Sequence, residues 1–303
     1  MTSSKGARDP NMKRPTIIIC VASVLVLGIA LFVGISFAHR QSIEHKISTA
    51  ISQVAQADKV IVRIDEVLTG QVGADTPGRI MALEGDIAPA KTYLAQASEA
   101  MDYVKSHGSG KQADKARAIR ASIDMRYDLL SMSVRLLETD RAAATALIAA
   151  GSSWESLNDG VTKAKQALQI FSTTDKRDIS VSGNLDKEAA RSFADAKRRL
   201  EEAHAAMPQA DFSTYGRYLD IRIAMSQAAR DADAYWMKNN LKKANAAVEN
   251  HNKLSKKAVS IADNGLKPLG EIIVKAYGEQ TGTMSEQYFA ARKRVALMDN
   301  QIR

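Results

Sequence analysis

A single cysteine, Cys20, among 303 residues leaves no partner for an intrachain disulfide and no thiolate set for a structural zinc site. The five histidines, His39, His45, His107, His204 and His251, are scattered and never fall into an HExxH spacing. Neither GxSxG nor GxGxxG occurs, so the signatures of a nucleophile elbow and of a dinucleotide fold are both missing. His107-Gly108-Ser109-Gly110-Lys111 ends like a phosphate loop, but Lys105 stands where its first glycine belongs and Gln112 replaces the Mg²⁺-binding hydroxyl. Asp231 and Asp233 are two apart, on different sides of a helix, and make no catalytic pair. No catalytic residue, no cofactor-binding residue and no metal ligand is therefore assigned, and no cofactor is expected.

Charge of one sign is also in short supply. Of the chain's net charge of +8, residues 39–303 carry +5, which is mild and does not resemble a nucleic-acid footprint. No Asn-x-Ser/Thr site occurs, which favours a bacterial origin for an exported domain. Only six prolines interrupt the chain, and no stretch shows the period-two alternation of a strand.

What is present is helix. Thr16–Ala38 contains no charged residue, and at about 1.5 Å per residue it reaches roughly 34 Å, enough for a hydrocarbon core of about 30 Å. The run is longer than the core of a cleavable signal, although Ser36-Phe37-Ala38 places small residues where a signal peptidase cuts. Lys5, Arg8, Lys13 and Arg14 precede it, so the expectation is a single-pass signal anchor with residues 1–15 in the cytoplasm and the C-terminal domain outside.

Residues 39–69 carry an apolar seam at 4-3 spacing: Ile43, Ile47, Ala50, Val54, Ala57, Ile61, Ile64 and Leu68. Ile43, Ile47, Val54, Ile61, Ile64 and Leu68 form a candidate interaction seam, which packs either on the chain's own helices or on another chain. Gly70 and Gly73 break the pattern, and Thr76-Pro77 opens a second helix to about Val104. A long helix follows from Gln112 to Ala150, stopped by Gly151, and Ser152–Glu155 reads as a capping box opening another to Phe171. Residues 77–171 thus form a first bundle half, and 186–303 a second. Between them, 172–185 reads as an exposed polar loop. In the second half, helices are expected over 186–207, 213–263, 269–277 and 284–298. Lys238, Lys242, Lys243, Lys253, Lys256 and Lys257 make one helix a candidate basic contact face for an anionic polymer or headgroup. Trp154 and Trp236 are expected to anchor the core, with a ligand groove as the alternative.

The stretches LEEAHAAMPQADFSTYGRYLDI and LKKANAAVENHNKL resemble the second half of the helical bundle of the LemA family, over some 50–60 residues. The resemblance implies a single span and an extracytoplasmic bundle. It rests on no diagnostic motif, and the membrane-proximal helix departs from the family pattern, so the family is not assigned.

The expected fold is all-α: one transmembrane helix followed by an elongated bundle of long antiparallel helices. The expected function is a non-catalytic, membrane-anchored scaffold or protein-interaction module of the cell envelope. Its partner would be a protein or an anionic envelope polymer, with no nucleic acid and with homo-oligomerisation left open. The alternative is a small-ligand-binding or LemA-like helical module with an interhelical site. Buried polar residues converging on a pocket would favour the alternative; a continuous exposed seam would favour the scaffold.

Overall fold

The computed structural model describes the backbone of residues 14–171 and 175–302, and the side chains within those ranges from His39 onward. Seven helices account for nearly all of it: α1 (Arg14–Leu68), α2 (Thr76–His107), α3 (Gly110–Ile170), α4 (Lys176–Ala206), α5 (Ser213–Met237), α6 (Leu241–Gly265) and α7 (Leu269–Ile302). No strand occurs among the described residues, so the chain is all-helical.

The membrane expectation is corrected. Among the described residues, no helix is long and apolar enough to cross a membrane. From His39 onward α1 sets Arg40, Glu44, Lys46, Lys59 and Arg63 beside its buried stripe, a pattern that suits packing against protein on one side and water on the other. The single-pass span, the signal anchor and the cytoplasmic-to-extracytoplasmic placement are withdrawn. The run 16–38 that suggested them lies outside the residues whose side chains are described.

The chain divides into two compact units. The first comprises residues 1–59, 89–127 and 294–303. Its apolar interior includes Ile43, Ile47, Ala50, Leu94, Ala97, Met101, Ile119 and Ile123, which recur three or four positions apart on α1, α2 and α3. One charge enters this interior. Arg126, only 1% exposed, donates from Nε to Asp58 Oδ1 at 2.7 Å and from Nη2 to Asp58 Oδ2 at 2.9 Å. The same Nη2 reaches Asp299 Oδ2 of α7 at 2.6 Å. Burial opposes the guanidinium charge, and the two carboxylates hold its pKa above the ordinary arginine value.

The second unit comprises residues 60–88 and 128–293. Its core joins Ala143, Ala146, Ala150 and Leu157 of α3 to Ala189, Phe193, Ala196, Leu200 and Ala203 of α4, with Leu219 of α5 and Ile273 of α7. Alanine recurs because small side chains let helix backbones approach closely. At one crossing even alanine is too large: a Cβ on Gly160 would stand 2.7 Å from Phe193 Cε1. Antiparallel pairing of α4 and α5 is visible in two contacts, Lys197 with Asp220 at 2.7 Å and the Arg222 guanidinium 4.8 Å from the centre of the Phe193 ring. Higher numbers on one helix meet lower numbers on the other.

Several expected boundaries move, each for a local reason. The polar loop at 172–185 is corrected: α4 begins at Lys176, capped by Asp175, whose carboxylate accepts from Arg177 N at 2.8 Å. Ile179, Ser182, Asp186 and Ala189 then fall on its buried side. Residues 172–174 of that stretch lie outside the described residues. The stop at Gly151 is corrected too, since α3 runs through it. Ser153 Oγ donates to Ala196 O at 2.8 Å, and Leu157 is buried, so contact with α4 outweighs the weak local preference for a break. The expected helix over 213–263 divides at Lys238–Asn240, where Asn239 takes φ 54° and Asn240 caps α6 by accepting from Lys243 N at 3.3 Å. The two short C-terminal helices are one, α7.

A candidate ligand cleft between helices

The second unit contains a cleft of about 440 Å³ walled by α3, α4, α5 and α6. Spacing on α5 builds its floor: Arg222, Met225, Ser226, Ala229, Ala232 and Asp233 recur at three- and four-residue intervals and share one face. Ser182 and Asp186, one turn apart on α4, form a second wall. Ala164 and Leu168 of α3 are apolar cover, and Val248, His251, Asn252 and Ser255 of α6 close the remaining side.

Two carboxyls meet in this space. Asp186 is 5% exposed and Asp233 6% exposed. Burial, with the neighbouring Asp233 charge adding to it, pushes the Asp186 carboxyl up to about 7. Burial also pushes Asp233 up to about 6, while a hydrogen bond from Ser182 pulls the other way. Gly183 lies beside Asp233: a Cβ there would stand 3.4 Å from Asp233 Oδ2, in ordinary contact with the carboxylate. Asp233 Oδ2 itself is buried and accepts no hydrogen bond from the described residues.

The far end of the same α5 face holds a second orphan, of opposite sign. Arg222 lies against two rings, 4.8 Å from the centre of Phe193 and 6.0 Å from that of Tyr218, and its buried Nε donates to no described residue. Buried polar atoms without partners cost about 1–3 kcal/mol each. A cleft holding one donor and one acceptor in that condition is chemically prepared for a polar guest. A metal is a poor guest here: among the described residues no three His, Cys, Asp or Glu side chains converge on one point.

Sequence reasoning placed its candidates elsewhere. Of the seam, Ile43, Ile47, Ile61 and Ile64 are buried within the chain, and Val54 and Leu68 are half-buried. Lys238, Lys242, Lys243, Lys253, Lys256 and Lys257 are all exposed, so the candidate basic face is open to solvent. Trp154 is 50% exposed rather than a core anchor, and Trp236 is half-buried. The sequence neighbour of Asp233, Asp231, is exposed; its spatial neighbour is Asp186, at the border of the expected loop. The recoverable signal was the series Ile179, Ser182, Asp186, Ala189 and Phe193, which keeps helical spacing straight through the supposed loop.

No protein-family model, curated protein or solved structure matches this chain, so no family stands behind the resemblance to LemA proteins.

Proposed function

We propose that this protein is a non-catalytic, small-ligand-binding helical module whose site is the α3–α6 cleft of the second unit. The observation that carries this reading is the convergence of two buried carboxyls on a cleft of about 440 Å³, one of them with an oxygen that no described residue satisfies. That volume falls in the range of sites for drug-sized molecules, which run from about 300 to 1,000 Å³. Burial of the seam isoleucines supports the same reading, because they are occupied in packing the chain on itself. The test is a thermal-shift screen of the full chain with a library of small polar molecules, read by tryptophan fluorescence. Both tryptophans, Trp154 and Trp236, belong to the second unit. Compounds that bind should raise the melting temperature of the wild type and leave Ala229→Phe, in which a ring occupies the cleft, unshifted. A library without hits, or shifts that persist in the filled variant, would reject the reading.

A second reading retains an interaction role for α6, whose six exposed lysines suit an acidic protein surface or an anionic polymer. Binding to polyanion that weakens steeply with salt and disappears on replacing these lysines by glutamine would support it.

A further inference from the structure

Resting on the reading of the cleft as a small-ligand site, we infer that its ligand is dipolar: a cationic amine seated on Asp186 and Asp233, joined by an apolar body to a carboxylate or similar acceptor seated on Arg222. The two ends are fixed by one helix. Arg222 and Asp233 share the cleft-lining face of α5, and at about 1.5 Å per residue the helix between them is about 16 Å long, close to three turns. Each end presents a buried atom with no partner, Nε of Arg222 and Oδ2 of Asp233. Among the described residues, the two side chains do not satisfy each other, and neither forms an ion pair with another side chain.

Much of the surface between the ends is apolar or small. Met225, Ala229 and Ala232 line the floor, with Leu168 and Val248 opposite. A ligand carrying only a cation would leave the Arg222 donor unmet, and one carrying only an anion would stand beside two acids. A dipolar molecule with a hydrocarbon middle satisfies both orphans and lays its centre along Met225, Ala229 and Ala232, with Ser226, His251, Asn252 and Ser255 lining the rest of the cleft. The Arg222 guanidinium, laid against Phe193 and Tyr218, is held in a fixed plane, the condition under which arginine recognises a carboxylate with two parallel hydrogen bonds.

The experiment compares three probes of one chain length on the full protein by calorimetric titration at pH 8, where both acids are ionised: octylamine, octanoate and 8-aminooctanoate. The dipolar probe should bind at least tenfold more tightly than either single-headed one. Asp233→Asn should reduce its affinity to that of octanoate, and Arg222→Gln to that of octylamine, with circular dichroism and melting confirming that both variants fold. The wild-type comparison stands by itself should either variant fail to fold. Equal binding of octylamine and 8-aminooctanoate, or tighter binding of octanoate, overturns the dipolar inference and leaves the cleft reading intact. Absence of binding by all three overturns the inference as well. In that case the library screen decides the cleft reading separately: hits blocked by Ala229→Phe keep it, and no hits remove it.

Discussion

Replacing Asp186 by asparagine keeps the shape of the protonated acid and removes the charge that the cleft disfavours. The folded protein holds this carboxyl at about 7, against an ordinary value of 3.8. At about 1.4 kcal/mol per unit, the displacement corresponds to roughly 4 kcal/mol at most, and local relaxation and water in the cleft reduce a realistic value to about 2–4 kcal/mol. The direction follows from proton counting. Between about pH 4 and pH 7 the folded state binds more protons at Asp186 than the unfolded chain, so stability falls as pH rises through that window. Above it the loss is complete; below it the loss is absent. Asp233, pushed up to about 6, acts in the same sense over a narrower range. His251 on α6 and Arg222 on α5 are the other ionisable groups lining the cleft, and neither is shared between the wild type and the variant in a different way. Urea unfolding followed by tryptophan fluorescence should therefore show the wild type losing stability from pH 5 to pH 8. Asp186→Asn should be more stable than the wild type at pH 8 by about 2–4 kcal/mol, and nearly equal to it at pH 4. A wild type whose stability is flat from pH 5 to pH 8, or a variant that gains nothing at pH 8, would refute the assignment of a strained carboxyl pair.

Gly160→Ala should destabilise, although alanine ordinarily improves a helix interior by about 1 kcal/mol over glycine. Its Cβ would sit 2.7 Å and 2.8 Å from two carbons of the buried Phe193 ring, and overpacking costs about 1–3 kcal/mol, so a net loss of up to about 2 kcal/mol is expected in urea melts. Combining it with Phe193→Leu should cost less than the two single changes added together. Arg126→Met should cost about 2–3 kcal/mol, a value below that for a fully buried pair because the side chains of Asp58 and Asp299 are each about a third exposed. Adding Asp58→Asn and Asp299→Asn should restore at least half of it, and no recovery would mean that arginine packing rather than charge explains the loss.

Helix content was legible because it rests on spacing, which a sequence displays directly. The seam from Ile43 to Ile64, the stop at Leu68 and the start at Thr76 all follow from periodicity and from Gly70 and Gly73. Misplaced boundaries share one cause, in that a local signal was given more weight than a distant contact. Gly151 and the Ser152–Glu155 pattern are sound end signals, but Ser153 and Leu157 face α4 and hold α3 straight through them. The opposite error occurred at Asn239, where a left-handed residue other than glycine ended a helix that showed no conventional breaker. The cleft was harder to see. Its acids are 47 residues apart in sequence, from Asp186 to Asp233, and only the antiparallel pairing of α4 with α5 brings them together. An exposed run of lysines is conspicuous to a reader of sequence, and a pair of lone aspartates among alanines is not.

Only two residues of α6 are fully buried, Ala244 and Ala258, and a methyl group is all that each contributes. Apolar burial of this size stabilises by about 1 kcal/mol per side chain or less, so the helix is held chiefly by its own backbone and by partial contacts along α5. In hydrogen-exchange terms, the amides of α6 belong to the class released by sub-global opening, well before those of α4, whose buried side includes Phe193 and Leu200. The outer wall of the cleft is thus also its least costly wall to displace. A guest touching Val248 and His251 would slow exchange across the whole of α6, including turns it never contacts, because a helix this weakly anchored opens as one body.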